Sequence, residues 1–333
     1  MSAQKMSSRK SIAFFLAMFL CTAWLFQSTA PAQTKPTTDK VKSLHFELKL
    51  TITGRGKASK ITATGPFPIE WPEQKIEIVK QDKTDRVRKI SFKPLTKAAK
   101  QMVVKVNRLN NGEVAEATII VKAERTVQET PDGFDEYQFA KKVPGNVKQY
   151  LRPSPYIDSG NKEISKLAKG ISIDEDLPAS EQVEEIYRWV RKTLEYKFDT
   201  KIHTCMEAVK NGHGDCEELS SLFIAVCRAR GIPSRAVWVS GNRAGGASHT
   251  YPEFYLEDKD GEGHWIPCQA AGDYEFGKMT DIRLILQKGD RFKLPGRREV
   301  LRYIEPSLVG DAPQGLGFNW TVRPLTEEEV AEL

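Results

Sequence analysis

The sequence predicts an α+β protein in which a small all-β sandwich precedes a core of helices packed on an antiparallel sheet. Three observations lead there. Phe46, Leu48, Leu50 and Ile52 alternate with polar neighbours, the period-two signature of a strand with one buried face. Val183, Ile186, Tyr187, Val190 and Leu194 recur at helical spacing and mark an amphipathic helix over about residues 180–196. Strand-like segments cluster before and after the helical region, the order of an α+β chain rather than of repeated βαβ units.

Taken from the N terminus, residues 1–32 read as a secretory signal peptide. Lys5, Arg9 and Lys10 precede an uncharged run from Ile12 to Phe26, and Ala30-Pro31-Ala32 supplies the small-x-small cleavage site. The run is about fifteen residues, short of the roughly twenty that a membrane span requires, so no stable span is expected after cleavage. Cys21 follows Met18, Phe19 and Leu20, which are too bulky for an acylation site, and no lipid anchor is expected. The mature chain is expected to be secreted or periplasmic. A polar linker, residues 33–39, leads into the β region at 40–128. There a strand from Lys75 to Val79 follows the Pro-rich stretch Pro66 to Pro72, and Met102 to Val106 faces Ala117 to Ala123 across a hairpin loop holding Asn111-Gly112. A connector at 129–160 carries Pro131-Asp132-Gly133 and Pro153-Ser154-Pro155.

The core is expected at 161–280. After the helix at 180–196, a second begins near Asp215, uses Leu219, Leu222, Phe223 and Val226 as its inner face, and stops at Gly231 before Pro233. Strands come next from Arg235 to Ser240, from His249 to Leu256 and from His264 to Gln269, the last two joined by a turn at Asp258-Lys259-Asp260-Gly261. Residues 281–333 read as an extension with extra strands and a charged tail.

Composition excludes some functions. With 40% hydrophobic and 28% charged residues the chain is an ordinary globular one. Its formal charge of +6 falls to +3 once Lys5, Arg9 and Lys10 are removed. The remaining cations are spread, with clusters only at Arg86, Arg88 and Lys89 and at Arg297 and Arg298, so a nucleic-acid partner is not expected. Four cysteines stay in the mature chain, Cys205, Cys216, Cys227 and Cys268, and none stands in a C-x-x-C pair; no structural zinc and no cofactor are expected.

The segment Gly212-His213-Gly214-Asp215-Cys216-Glu217-Glu218-Leu219 places a cysteine just inside a helix start. Unpaired N–H groups and the positive end of the helix dipole favour a thiolate there and lower its pKa from about 8.5. The same N–H groups can hold an oxyanion. Asp215 is placed to cap the helix, while Glu217 and Glu218 oppose the thiolate slightly. The bland alternative is a buried cysteine at a helix start.

Residues further along the chain discriminate between the two: Arg228-Ala229-Arg230-Gly231-Ile232-Pro233-Ser234-Arg235, then His249, then Trp265-Ile266-Pro267. This series resembles the transglutaminase-like superfamily of papain-like thiol enzymes over about residues 150–280, and the β region including Pro68 to Gln74 looks like the sandwich of its secreted bacterial members. The resemblance implies that Cys216 attacks an amide carbonyl of a protein or peptide, forms a thioester and passes the acyl group to an amine or to water, with His249 as base. It implies fold-holding roles for Arg235 and Glu253, and places Tyr196 where some members have a residue beside the oxyanion hole. The family's aspartate in W-x-P-x-D is replaced by Gln269, whose carbonyl is expected to accept the Nδ1–H of His249; Asp273 is the alternative orienting residue.

Cys268 is expected as a buried free thiol, with pairing to Cys205 or Cys227 left open. Cys216 and Cys227 sit about 16 Å apart along one helix and cannot bridge. The acidic turn from Glu257 to Glu262 reads as a solvated hairpin rather than a calcium site, and His203, His213 and His264 have no metal-ligand spacing. Two function classes result: a thiol acyl-transfer enzyme, either cysteine protease or amidase or protein cross-linker, and a non-catalytic cell-envelope scaffold that keeps the fold.

Overall fold

The computed structural model describes residues 41–241, 248–294 and 296–333; the expected signal peptide and linker lie outside them. Six strands come first, β1 (Val41–Gly54), β2 (Ala58–Phe67), β3 (Gln74–Lys83), β4 (Val87–Thr96), β5 (Ala99–Leu109) and β6 (Val114–Thr126). Phe46, Leu48, Leu50 and Ile52 of β1 meet Ile61 and Ala63 of β2 and Met102, Val104 and Val106 of β5 in one buried core, so alternation on each strand becomes the filling of a sandwich. The loop holding Asn111-Gly112 does join β5 to β6, with Gly112 at φ +77° as its left-handed residue. The expected hairpin is corrected: β5 pairs with β2 and β4 and β6 with β1 and β3, so the loop crosses from one sheet to the other, a choice that a turn motif alone does not encode.

Sequence reasoning missed β2 and β4. Along β2 the inner face is lightened by Ala63 and Gly65, and β4 carries Arg88, Lys89, Lys93 and Pro94, the charges and proline that protect a sheet edge and hide its alternation. The expected strands at 281–333 are present, and two of them complete the sandwich. β13 (Ser307–Asp311) pairs with β2, and β14 (Leu316–Pro324) pairs with β1 from Phe46↔Pro324 to Gly54↔Leu316. The two sheets therefore run β14-β1-β6-β3 and β13-β2-β5-β4.

Between these strands lies the helical core: α1 (Lys162–Gly170), α2 (Ala179–Thr193), β7 (Glu195–Tyr196), α3 (Cys205–Asn211), β8 (His213–Gly214), α4 (Cys216–Ala229), β9 (Ser234–Val239), β10 (His249–Glu257), β11 (Gly263–Pro267) and β12 (Ile285–Lys288), with a short α5 (Glu327–Ala331) at the end. β9 to β12 form one antiparallel sheet in the order β11-β10-β9-β12. α4 lies buried against that sheet, with Phe223 edge-on to Phe254 of β10, and α2 covers it with the predicted face Val183, Ile186, Tyr187 and Val190. The architecture is the expected α+β fold.

Buried charges join sandwich to core. The Lys288 ammonium, wholly buried, meets Glu253 of β10 at 2.5 Å and also Glu73, which precedes β3, while Arg235 of β9 holds the other Glu253 oxygen at 2.6 Å. Burial works to raise the Glu253 carboxyl, but Arg235 and Lys288 outweigh it and hold it below its usual range. Arg235 and Glu253 are thus in the structural position expected of them.

Candidate active site

The start of α4 is built from both sides. α3 ends at Gly212 in the left-handed region (φ +74°), and the chain returns as β8, paired in parallel with β7, so Tyr196 stands opposite Gly214. A Cβ on Gly214 would lie 2.4 Å from the Glu218 Cβ, which explains the glycine two residues before the cysteine. Asp215 caps the helix: its Oδ1 accepts from Glu217 N at 2.7 Å, and Glu218 Oε2 accepts from Asp215 N at 2.9 Å in a capping box. Cys216 is the first residue of α4, where a backbone N–H has no intrahelical acceptor.

His249 opens β10, next to Thr250, whose backbone N–H faces the Cys216 sulfur. The His249 Nε2–H donates to Gln269 Oε1 at 2.9 Å, which leaves Nδ1 with its lone pair as the basic nitrogen. The structure corrects the expectation that Nδ1–H would make this bond; the choice of nitrogen depends on ring orientation, which spacing does not encode. Gln269 is held by its own backbone. Tyr187 OH donates to Gln269 O at 2.9 Å, and Arg191 of α2 donates to the carbonyls of Gln269 (3.0 Å), Ala270 (3.3 Å), Asp273 (3.4 Å) and Gly272 (2.7 Å). Asp273, the alternative orienting residue, is tied by this backbone bond on the cavity wall, while the hydrogen bond to His249 comes from Gln269.

Electrostatics run against the expected thiolate. Burial first, then the Asp215 carboxylate, push the Cys216 thiol up to about 12 despite the Thr250 N–H, because the carboxylates that cap the helix oppose its dipole at short range. Burial and then the Arg283 charge bring His249 down to about 4. Asp215 itself is raised to about 6, chiefly by burial. At neutral pH the pair rests as thiol and neutral imidazole, and among the described residues no hydrogen bond joins the two.

An open cavity of about 700 Å³ adjoins the pair, lined by Tyr196, Leu219, His249, Gln269, Asp281 and Arg283 among others. Tyr196 stands on its rim, more than half exposed, and its phenol is raised first by burial and then by the nearby Cys216 and Asp215. Sequence reasoning missed Asp281 and Arg283, which form an ion pair beside His249, with Arg283 Nε 2.7 Å from Asp281 Oδ2. No motif flags them, since they lie beyond the last strand of the recognisable pattern.

Cys205, Cys227 and Cys268 are buried and free, as expected for Cys268. Asp258, Glu262 and His264 on the β10–β11 turn bring potential metal-ligand atoms within 4.8 Å of one another, which sequence spacing did not suggest. Hydrogen bonds within the turn account for the grouping: Asp260 N and Glu262 N donate to Asp258 Oδ1, and His264 Nε2 lies 2.7 Å from Asp258 Oδ2.

Comparison with known proteins bears on the fold. No curated protein matches the chain. Among solved structures it is similar to a candidate cysteine protease from Cytophaga hutchinsonii, with a TM-score of 0.54 and 14% identity over 84% of this chain and 91% of that one, a likeness of fold. The periplasmic domain of TgpA from Pseudomonas aeruginosa, in a structure bound to ethylmercury, aligns at a TM-score of 0.33 and 12% identity over 68% of this chain and 74% of that one. The model of the transglutaminase-like superfamily matches residues 165–270, the span that carries α2 to β11 together with Cys216, His249 and Gln269. Between the two parts of its β-sandwich, residues 165–270 of this chain therefore match the core of the transglutaminase-like superfamily.

Proposed function

We propose that the protein is a thiol acyl-transfer enzyme in which Cys216 attacks an amide carbonyl of a protein or peptide and His249 accepts the thiol proton at Nδ1. The observation that supports this reading best is the convergence of a helix-start thiol and a histidine held through Nε2 by Gln269 at the wall of an open cavity. The thiol and imidazole start neutral, so the nucleophile forms as the proton passes to Nδ1 during attack. The Cys216 N–H, at the first position of α4, faces no intrahelical acceptor and is free to hold the oxyanion. The leaving amine takes the proton back from His249, and a thioester remains on Cys216. Water resolves it in a protease or amidase; a primary amine resolves it in a cross-linker. The charged and apolar runs of residues 1–32 support export as the setting of this activity. Among the described residues no helix is long and apolar enough to cross a membrane.

The neutral resting pair supports a second reading, a non-catalytic envelope scaffold that keeps the fold. A mass-spectrometric turnover assay separates them. A pool of glutamine-containing peptides is incubated with and without a primary amine, using wild type, Cys216→Ala and His249→Ala. We expect hydrolysis or amine-adduct products from wild type alone. Products that persist in Cys216→Ala, or none from wild type, would sink the enzyme reading.

A further inference from the structure

Residues next to the thiol and the imidazole line two separate cavities, and the second is built largely from parts of the chain outside the family match. Helical geometry divides the two. Residues on α4 advance about 100° each, so Glu217 lies about 100° to one side of Cys216 and Leu219 about 60° to the other. Leu219 lines the cavity of about 700 Å³ already described, whereas Glu217 lines another of about 680 Å³. The strand side repeats the division: His249 lines the first cavity, and its neighbour Ser248 lines the second.

The far cavity is bounded by Thr64 of β2 and Gln101 of β5, by Leu294 and Val300 of the segment that returns to the sandwich, and by Tyr156 and Trp238. Tyr156 is 39% exposed at its edge, as is Ile202, another lining residue. Each cavity has the volume that holds a drug-sized group, about 300–1,000 Å³. Its walls mix aromatic and aliphatic side chains with polar and charged ones such as Gln101, Glu217 and Arg302, a lining that suits both the side chains and the backbone of a polypeptide.

We propose that this second cavity binds the part of the substrate on the far side of the reacting amide, so the substrate is an internal amide of a polypeptide chain rather than a chain end or a small-molecule amide. An amide held at the Cys216–His249 pair has substituents directed both ways, and a terminal or small amide fills only one cavity. The sandwich and the C-terminal return segment then serve as substrate-binding walls as well as structural ones. This rests on the amide-attacking function proposed above, and it is tested by binding rather than by turnover.

The test uses Cys216→Ala protein, which binds without reacting, and fluorescein-labelled peptide pools of randomised sequence. One pool has about twelve residues, some 40 Å when extended, and the other about three. By fluorescence anisotropy the longer pool is expected to bind at least about ten-fold more tightly. Two fillings from opposite walls, Thr64→Arg and Val300→Trp, each added to Cys216→Ala, are expected to abolish that advantage and leave the short pool unchanged. Circular dichroism checks that each is folded, and either folded variant suffices. Equal binding of the two pools, or an advantage that survives the fillings, overturns the proposal. Absence of turnover in wild type counts against the enzyme reading alone.

Discussion

His249 is a base whose availability is set by burial. Only the neutral ring can take the thiol proton, and a ring brought down to about 4 stays neutral from that pH upward. We therefore expect kcat/KM to rise with an acid limb near pH 4 and to remain flat through neutrality, whereas a solvated histidine would give a limb near 6.5. Gln269→Glu places a carboxylate where an amide now accepts the Nε2–H. It should stabilise imidazolium and move the limb upward by about 1–3 units. A pH–rate profile of the two proteins checks both statements, and coincident limbs would rule out Gln269 as the His249 partner in solution. Gln269 itself was legible because it comes directly after Trp265-Ile266-Pro267-Cys268; the protonation of the pair was not, since it depends on burial and on Arg283, contributed from outside the motif.

At the scale of the element, the start of α4 combines a cap with an electrostatic burden. Asp215→Asn keeps an N-cap side chain but removes the carboxylate that, after burial, does most to raise the Cys216 thiol. Iodoacetamide should then label Cys216 about ten-fold faster at pH 7, one pKa unit of relief. Asp215→Ala loses the cap as well, at about 1 kcal/mol. α2 acts on the other side through Arg191, whose guanidinium gathers the carbonyls of residues 269–273. Arg191→Lys presents one ammonium in place of that fork and should lower kcat by about 10–100-fold through misplacement of Gln269, with KM little changed. Unchanged kcat in that variant would mean the loop holds its geometry without the fork. The amphipathic faces of α2 and α4 were readable from spacing; the carbonyl cage was not, because backbone acceptors leave no mark on a sequence.

Across the whole molecule, the link between sandwich and core is Lys288. Lys288→Met removes the cation shared by Glu73 and Glu253, and breaking a buried pair in this way should cost about 3–5 kcal/mol in urea unfolding. The pH dependence is set by Glu253, whose carboxyl is held below 4.5 in the fold. Its stabilising contribution is present above that value and is lost as pH falls through the lower folded one, so acid should narrow the gap between wild type and variant. Truncation after Pro306 removes β13 and β14 and uncovers the hydrogen-bonding edges of β2 and β1. Aggregated or unfolded product on size-exclusion chromatography is expected, and a monodisperse folded truncation would show that these strands are dispensable.

Local pattern by itself determined the class of fold, the strand at Phe46 to Ile52, the helices carrying Val183 and Cys216, and the ordered appearance of thiol, histidine and glutamine. These signals are periodic or arise from one residue's fixed chemistry, so they survive in one dimension. Tertiary structure alone decided that β14 lies beside β1, that Asp281 and Arg283 stand beside His249, and that a second cavity is lined by Glu217 and Ser248, the neighbours of Cys216 and His249. It also decided that the thiol rests protonated. Each of these depends on groups far apart in the chain and on how much water packing excludes, quantities that exist only after the chain has folded.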